Sequence, residues 1–326
     1  MVKSGLPASG RQPYSLICEH ECPEGGGIAA HRWTLVIGGD KERFVSSPDD
    51  LLQRLAQCLC AARNPLFITG AGMSADSGLP TYRGVGGLYE SGATAEGLSI
   101  ENALSGPMLL QRPELAWKYL WQIGSAIRQA RPNRGHEVLA AIEREKPRTW
   151  VLTQNIDGFH QAAGSRNVIE IHGHLQDLRC VACRFVTGTA AFFHPCTERP
   201  PVLPPRCPDC GSVLRPSVVM FGEALPVEAV RALSEVVFEH PPDLVIVIGT
   251  TAVFPYIELP VREARERQVP TFEINPHPSA ISDLVDGRVP ERAARALERL
   301  WRPLEEGEGG ICGVDYGPGA PDASGK

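Results

Sequence analysis

Two patterns of apolar and polar positions alternate along the chain. Short runs in which nearly every residue is apolar occur at Leu66-Phe67-Ile68-Thr69, Trp150-Val151-Leu152-Thr153, Val168-Ile169-Glu170-Ile171, Leu244 to Ile248 and Thr271-Phe272-Glu273-Ile274. Runs of that length and character predict strands buried on both faces. Between them lie patterns of helical period near 113–130, 134–145, 226–238, 256–267 and 290–301. Ser47-Pro48-Asp49-Asp50 supplies a cap, a first-turn proline and early acids for a further helix, with Leu51, Leu52, Leu55, Cys58, Leu59 and Ala62 as its apolar face. Strands alternating with amphipathic helices predict an α/β fold, a doubly wound, Rossmann-like parallel sheet covered on both sides. Trp33, Leu35 and Ile37 alternate toward Gly38-Gly39-Asp40 and Phe44, and predict a short hairpin in an N-terminal extension of residues 1–46.

Three departures from the alternation divide the rest of the chain. A helical insertion covers about 86–130. A small inserted module with two cysteine pairs and many prolines covers about 174–217. A Gly-rich tail, 304–326, has too few large apolar residues to pack and is expected to be disordered, with Cys312 in it incidental. The catalytic domain is therefore expected at 47–303.

Composition narrows the class. The 326 residues carry 32 Lys+Arg and 38 Asp+Glu, a net charge of −6, which excludes a strongly basic nucleic-acid binder. Ten cysteines are too few for a disulfide scaffold, and the N-terminal stretch has no apolar secretion segment, so a cytoplasmic protein is expected. The stretch from Leu244 to Ile257 is too short to span a bilayer.

The first candidate constellation follows the first buried strand. Gly70-Ala71-Gly72-Met73-Ser74-Ala75 fits G-x-G-x-x-G/A, in which glycines let backbone approach a pyrophosphate. A tight strand-to-helix turn with no ligand has the same signature. The stretch about 20 residues on, Pro80 to Tyr89, is a loop without the strand and acid of a dehydrogenase, so hydride transfer is not favoured. The second constellation lies at strand ends, where open α/β sheets bind ligands: Gln154-Asn155-Ile156-Asp157, His172-Gly173, Gly249-Thr250-Thr251 and Asn275. Taken singly, Asn155 and Asp157 also read as turn residues and His172 as a cap. The third is Cys180-x-x-Cys183 and Cys207-x-x-Cys210, the spacing of a structural four-thiolate zinc site. Redox or buried cysteines are the alternative, and His194 and Cys196 lie in the gap as substitute ligands. Cys58 and Cys60 read as core residues. Cys18, His20 and Cys22 offer a second metal set that lacks a fourth ligand.

With those residues in place the chain resembles the sirtuins, NAD-dependent protein lysine deacylases, and their bacterial members most. The likeness runs from about Asn64 to Leu300. It rests on Gly70 through Ser74, Ser77 through Gly84, Thr153 through Asp157 with His160 and Ala163-Gly164, His172-Gly173, both cysteine pairs, Val218 through Glu223, Gly249-Thr250-Thr251 and Ile274-Asn275. The resemblance implies that Gly70, Ala71, Gly72, Ser74, Tyr82, Arg83, Gln154, Gly249, Thr250, Thr251 and Asn275 hold NAD, that Asn155 and Asp157 shape the nicotinamide pocket, and that His172 is the general base. It implies an acylated lysine peptide bound as a strand beside Val218, Val219 and Phe221, with one structural zinc on Cys180, Cys183, Cys207 and Cys210. Nicotinamide leaves as the acyl oxygen attacks the anomeric carbon, and the acyl group ends on ADP-ribose. Tyr82 stands where the family usually has Phe, Met220 where it often has Trp, and Thr251 where it often has Ser.

In the desuccinylase branch of the family a Tyr-x-x-Arg pair recognises an acidic acyl chain. Anchored on Pro113 and Trp117, that pair falls on Leu120 and Ile123, which cannot bind a carboxylate. The resemblance therefore implies acetyl or longer apolar acyl groups; the alternative is that Leu120 and Ile123 are only helix core. An NAD glycohydrolase or mono-ADP-ribosyltransferase using the same pocket is the competing function.

Overall fold

The computed structural model describes residues 14–18, 33–37, 47–80, 94–193 and 202–306. Two compact units divide at Ser46. In the first, β1 (Tyr14–Cys18) pairs antiparallel with β2 (Trp33–Ile37). The expected strand at Trp33 is present and its partner here precedes it; the stretch toward Phe44 lies outside the described residues.

The second unit opens with the expected cap. Ser47 accepts from the Asp50 N–H while the Asp50 carboxylate accepts from the Ser47 N–H, so helix Pro48–Ala61 starts with two otherwise orphaned donors satisfied. It leads into β3 (Pro65–Thr69), every residue of which is buried. The strands β4 (Trp150–Thr153), β5 (Val168–Glu170), β6 (Gly173–Cys180), β7 (Val186–Gly188), β8 (Leu214–Val218), β9 (Leu244–Ile248), β10 (Thr271–Ile274) and β11 (Gly287–Val289) follow. Six of them form one sheet in the order β11-β10-β9-β3-β4-β5, parallel throughout. Counted from β3, this is the doubly wound order 3-2-1-4-5-6, whose strand order reverses between β3 and β9.

Side-chain alternation along the strands serves two cores. Phe67, Leu244, Ile246 and Ile248 face a cluster completed by helices Pro48–Ala61, Arg134–Glu145 and Ala293–Glu306. Leu66, Ile68, Val245 and Val247 face a second, with helix Pro255–Glu266 and the turn around Val236 and Val237. Truncating a residue such as Phe67, fully buried here, costs about 3–5 kcal/mol.

A third core joins the insertion to the small module. Helices Ile100–Ala103, Gly106–Gln111 and Pro113–Gln129 bury Leu104, Leu109, Trp117, Leu120 and Ile123 against Leu178, Leu214 and Met220. The module is the antiparallel sheet β7-β6-β8. The terminal helix runs to Glu306, so it takes in the first three residues of the expected tail. Among the described residues no helix is long and apolar enough to cross a membrane.

Candidate active site

The site forms where β3 and β9 end side by side. The Gly72 N–H donates to the Gly249 carbonyl at 2.8 Å. A Cβ on Gly72 would lie 2.7 Å from the Gly249 Cα, and Gly249 itself has φ +58°. Both positions thus need glycine, one for space and one for conformation. The chain then makes one short helix, Ala71–Ser74, and a 3-10 turn, Ala75–Ser77, rather than a long phosphate-binding helix.

Polar groups from neighbouring strand ends lock onto this turn. The Asn155 side chain donates to the Gly70 carbonyl at 3.0 Å and to Ser74 Oγ at 3.2 Å. Ser74 Oγ donates to Asp157 Oδ2 at 2.7 Å, and Asp157 Oδ1 accepts from the Phe159 N–H. Asp157 is therefore both the local turn former and a cross-chain partner. Burial pushes its carboxyl up, partly offset by these hydrogen bonds. Gln154 donates to Thr250 Oγ1 at 2.8 Å, and Asn275 donates to the Thr250 carbonyl at 2.8 Å. Beneath them, Thr69 and Thr153, partners in register, bond to each other, and Thr69 also bonds His160 Nε2 at 2.9 Å. This buried layer had no signal in the apolar pattern beyond threonines ending two adjacent strands.

His172 sits at the seam between the two sheets, after β5 and just before β6. Its Nδ1 lies 2.9 Å from the Gln154 carbonyl and its Nε2 lies 2.7 Å from the Tyr256 hydroxyl. Burial lowers its basicity, and the Gln154 carbonyl restores part of it. Tyr256 was not anticipated from sequence; the only signal is its place just past the end of β9, in the first turn of the next helix.

The opposite wall comes from the third core. Leu120 and Ile123 are almost fully buried and still line the same cavity, with Leu104, Ile127, Met220 and Phe221. They are helix core and pocket wall at once. The cavity, about 860 Å³, also takes in Gly70 to Ser74, Gln154 to Asp157, His172, Val218, Val219, Gly249 to Thr251 and Asn275. Along the intended peptide edge the N–H groups of Val219, Met220 and Phe221 are already donated, to the His172 carbonyl, Glu223 Oε2 and the Leu104 carbonyl. Arg215 forks both Glu223 oxygens, at 2.5 and 2.7 Å, beneath this edge. Tyr82, Arg83, His194, Cys196, His20, Cys22 and Cys312 lie outside the described residues.

The four cysteines converge. Their sulfurs all lie within 4.8 Å of one another, with Cys180 to Cys210 at 3.5 Å and Cys183 to Cys207 at 3.6 Å. A tetrahedral shell with Zn–S of about 2.3 Å places sulfurs about 3.8 Å apart, so the donor set fits a closed, structural zinc.

Comparison with known proteins agrees with this geometry. The Sir2 family model matches residues 70–255. The chain is 51% identical over 249 residues to an NAD-dependent protein deacylase 2 of Pseudomonas aeruginosa, covering 76% of this chain and 94% of that one. It is 37% identical over 244 residues to an NAD-dependent protein deacylase of Aquifex aeolicus, covering 74% and 96%. A solved Sir2 homologue in complex with NAD superposes with a TM-score of 0.65 at 32% identity, over 78% of this chain and 93% of that chain. A Sir2 complex with a p53 peptide and NAD+ superposes at 0.66 with 28% identity, over 77% and 98%. The chain belongs to the Sir2 family.

Proposed function

We infer that this chain is an NAD-dependent protein lysine deacylase. The observation that carries the reading is a single cavity in which the polar strand ends, His172 and an apolar wall meet. The residues fit the dinucleotide: the glycine turn brings backbone to the cavity floor, and Gln154, Asn155, Asp157, Thr250 and Asn275 present amide, carboxylate and hydroxyl groups there. When bound, NAD supplies an anomeric carbon that loses nicotinamide and receives the acyl oxygen.

The chain's own groups do the rest. Asn155 and Asp157, tied to Ser74, shape the nicotinamide end. Gly70, Ala71, Gly72, Ser74, Gln154, Gly249, Thr250, Thr251 and Asn275 hold the remainder, and the family motif assigns Tyr82 and Arg83 to the same cofactor. His172 receives a proton at Nε2, because Nδ1 is committed to Gln154. The buried walls keep water from the reacting carbon until the acyl group has moved. With the N–H groups of Val219 to Phe221 donated inside the chain, and the carbonyls of Val218, Met220 and Phe221 already accepting from Arg215, the Glu223 N–H and the Gly106 N–H, the peptide is held along Val218 to Phe221 chiefly by the side-chain wall. The four-cysteine zinc keeps that wall in place.

The acyl preference follows from the wall. Leu120 and Ile123 face the cavity, and Glu101, Asp157 and Glu223 add carboxylates to it; Arg292, its described guanidinium, pairs with Asp76 at 2.7 Å. Among the described residues a succinyl charge finds no unpaired cation there, and leaving a charge unpaired costs several kcal/mol. Acetyl-lysine and longer apolar acyl-lysines are the substrates. The activity belongs in the cytoplasm, consistent with the reduced Cys58 thiol.

The test measures nicotinamide release with acetyl peptide, with succinyl peptide and without peptide. Release that requires acetyl peptide and is slower with succinyl peptide is expected. An equal rate without peptide overturns the deacylase reading in favour of glycohydrolase action, and succinyl efficiency matching acetyl overturns the acyl assignment alone.

A further inference from the structure

The neutral imidazole of His172 has one lone pair, and a second side chain already holds it. The Gln154 carbonyl can only accept, so Nδ1 carries the proton and Nε2 bears the lone pair. The Tyr256 hydroxyl, 2.7 Å away, therefore donates to Nε2. The ring cannot turn over without losing Gln154. The phenol is held as firmly: it stacks on Phe254 at 5.4 Å with planes 8° apart and meets the His172 ring edge-on at 5.8 Å. Its backbone lies in the first turn of helix Pro255–Glu266, next to the fully buried Ile257. His172, Phe254 and Tyr256 all line the cavity. A substrate hydroxyl that must give its proton to Nε2 thus finds that position occupied by another hydroxyl on a fixed ring.

From this arrangement we propose that Tyr256 relays the proton from the substrate hydroxyl to His172. The step rests on the deacylase reading above. As the substrate oxygen commits an electron pair to its new bond with the acyl carbon, the π pair of that carbon moves onto the lysine nitrogen, the O–H bond breaks and that proton passes to Tyr256 Oη. The proton previously on Oη passes to His172 Nε2. The phenol ends neutral, as it began, and the positive charge resides on the imidazolium. Burial pushes the Tyr256 phenol up to about 12, so it keeps a proton to hand on at any working pH. A phenol that is never ionised at rest suits a concerted transfer rather than a base of its own.

Tyr256→Phe keeps the ring and its stacking and removes only the hydroxyl. The expected result is a fall in deacylation kcat of about 100-fold, the scale of losing a positioned proton-transfer group, with KM for NAD nearly unchanged. Exchange of labelled nicotinamide into NAD, which precedes the proton transfer, persists at the wild-type rate. In the protein without NAD, the nitrogen resonance of His172 Nε2 moves toward that of an unbonded imidazole nitrogen, and the melting temperature stays close to wild type. A kcat within twofold of wild type, or above it, overturns the relay and leaves a hydroxyl that merely caps the base. Equal falls in exchange and turnover overturn it in favour of a structural role. An unmoved Nε2 resonance removes the hydrogen bond on which it stands. Wild-type protein that releases nicotinamide without peptide removes the deacylase reading itself, and the relay with it.

Discussion

The two halves of the cavity are built in opposite ways. The crevice half is made of the ends of parallel strands whose other residues are buried in two cores, so its polar groups are positioned by the backbone of a large sheet. The apolar half is made of a three-stranded module and three helices that share one smaller core, pinned at a few points: four converging cysteines, the Arg215–Glu223 fork, and the Trp117 Nε1 donation to the Leu214 carbonyl at 2.8 Å. The difference teaches where the molecule is vulnerable. Loss of one polar side chain in the crevice should cost chemistry and leave the scaffold standing, whereas loss of one tie should cost the wall.

The largest contrast is expected from metal removal. Because binding energy at a structural zinc site is also folding energy, on the order of 10 kcal/mol, a strong chelator or Cys207→Ser should unfold the module and abolish deacylation while the sheet half keeps its helical circular dichroism. Metal analysis should find one zinc per active chain; active protein without zinc would break the distinction. Next comes His172→Ala, which should lower deacylation by about 100-fold or more with NAD affinity and melting temperature unchanged. Retention of more than a tenth of the activity would show that another group is the base.

Glu223→Gln tests a tie of intermediate strength. Burial would raise the Glu223 carboxyl, but the two Arg215 hydrogen bonds and the Met220 N–H overcome it and hold it below the usual range. Its contribution is therefore present above the ordinary carboxylate value and is lost only as pH falls through the lowered one. Removing the charge leaves Arg215, 8% exposed, with the Val218 carbonyl but without its carboxylate, a loss of up to about 3 kcal/mol readable in urea unfolding. A neutral effect would mean that the wall does not depend on the fork.

The smallest effect belongs to the sheet half and runs in the same direction with pH, but begins at a higher pH. Burial holds His136 down to about 4 and, together with His136, holds His160 well below the usual histidine value. Below about 6.5 the unfolded chain takes up protons that the folded chain refuses, so stability is lost as pH falls from 6.5 toward 4. Moving from pH 7 to pH 5 should cost about 2 kcal/mol through His136, and His136→Gln should remove that part of the slope.

The crevice half was also the more legible in sequence. Continuous apolar runs mark five strands of the sheet, and the polar residues just beyond four of them, Asn155, Asp157, His172, Thr250 and Asn275, mark one ligand crevice. The sixth strand, Gly287–Val289, escaped because three residues with one buried apolar side chain carry no period. Tyr256 escaped for a different reason: its place in the first turn of an amphipathic helix reads as surface, and only the tertiary approach of that turn to His172 gives the phenol a partner. In the module, cysteine spacing was legible, but the Arg215–Glu223 fork and the internal use of the Val219 to Phe221 donors depend on how β8 folds back over the insertion.

The central strand pairing has a consequence for synthesis. β3 pairs on one side with β9, Pro65 facing Leu244, and the Asn64 N–H is held by Asp243, 179 residues later. A chain made from its N-terminus therefore completes the cysteine module, and can load its metal, before β9 has left the ribosome. The glycine turn after β3 must wait with an open edge until Gly249 arrives, so the crevice is assembled last, and this long-range closure should set the slow step of folding.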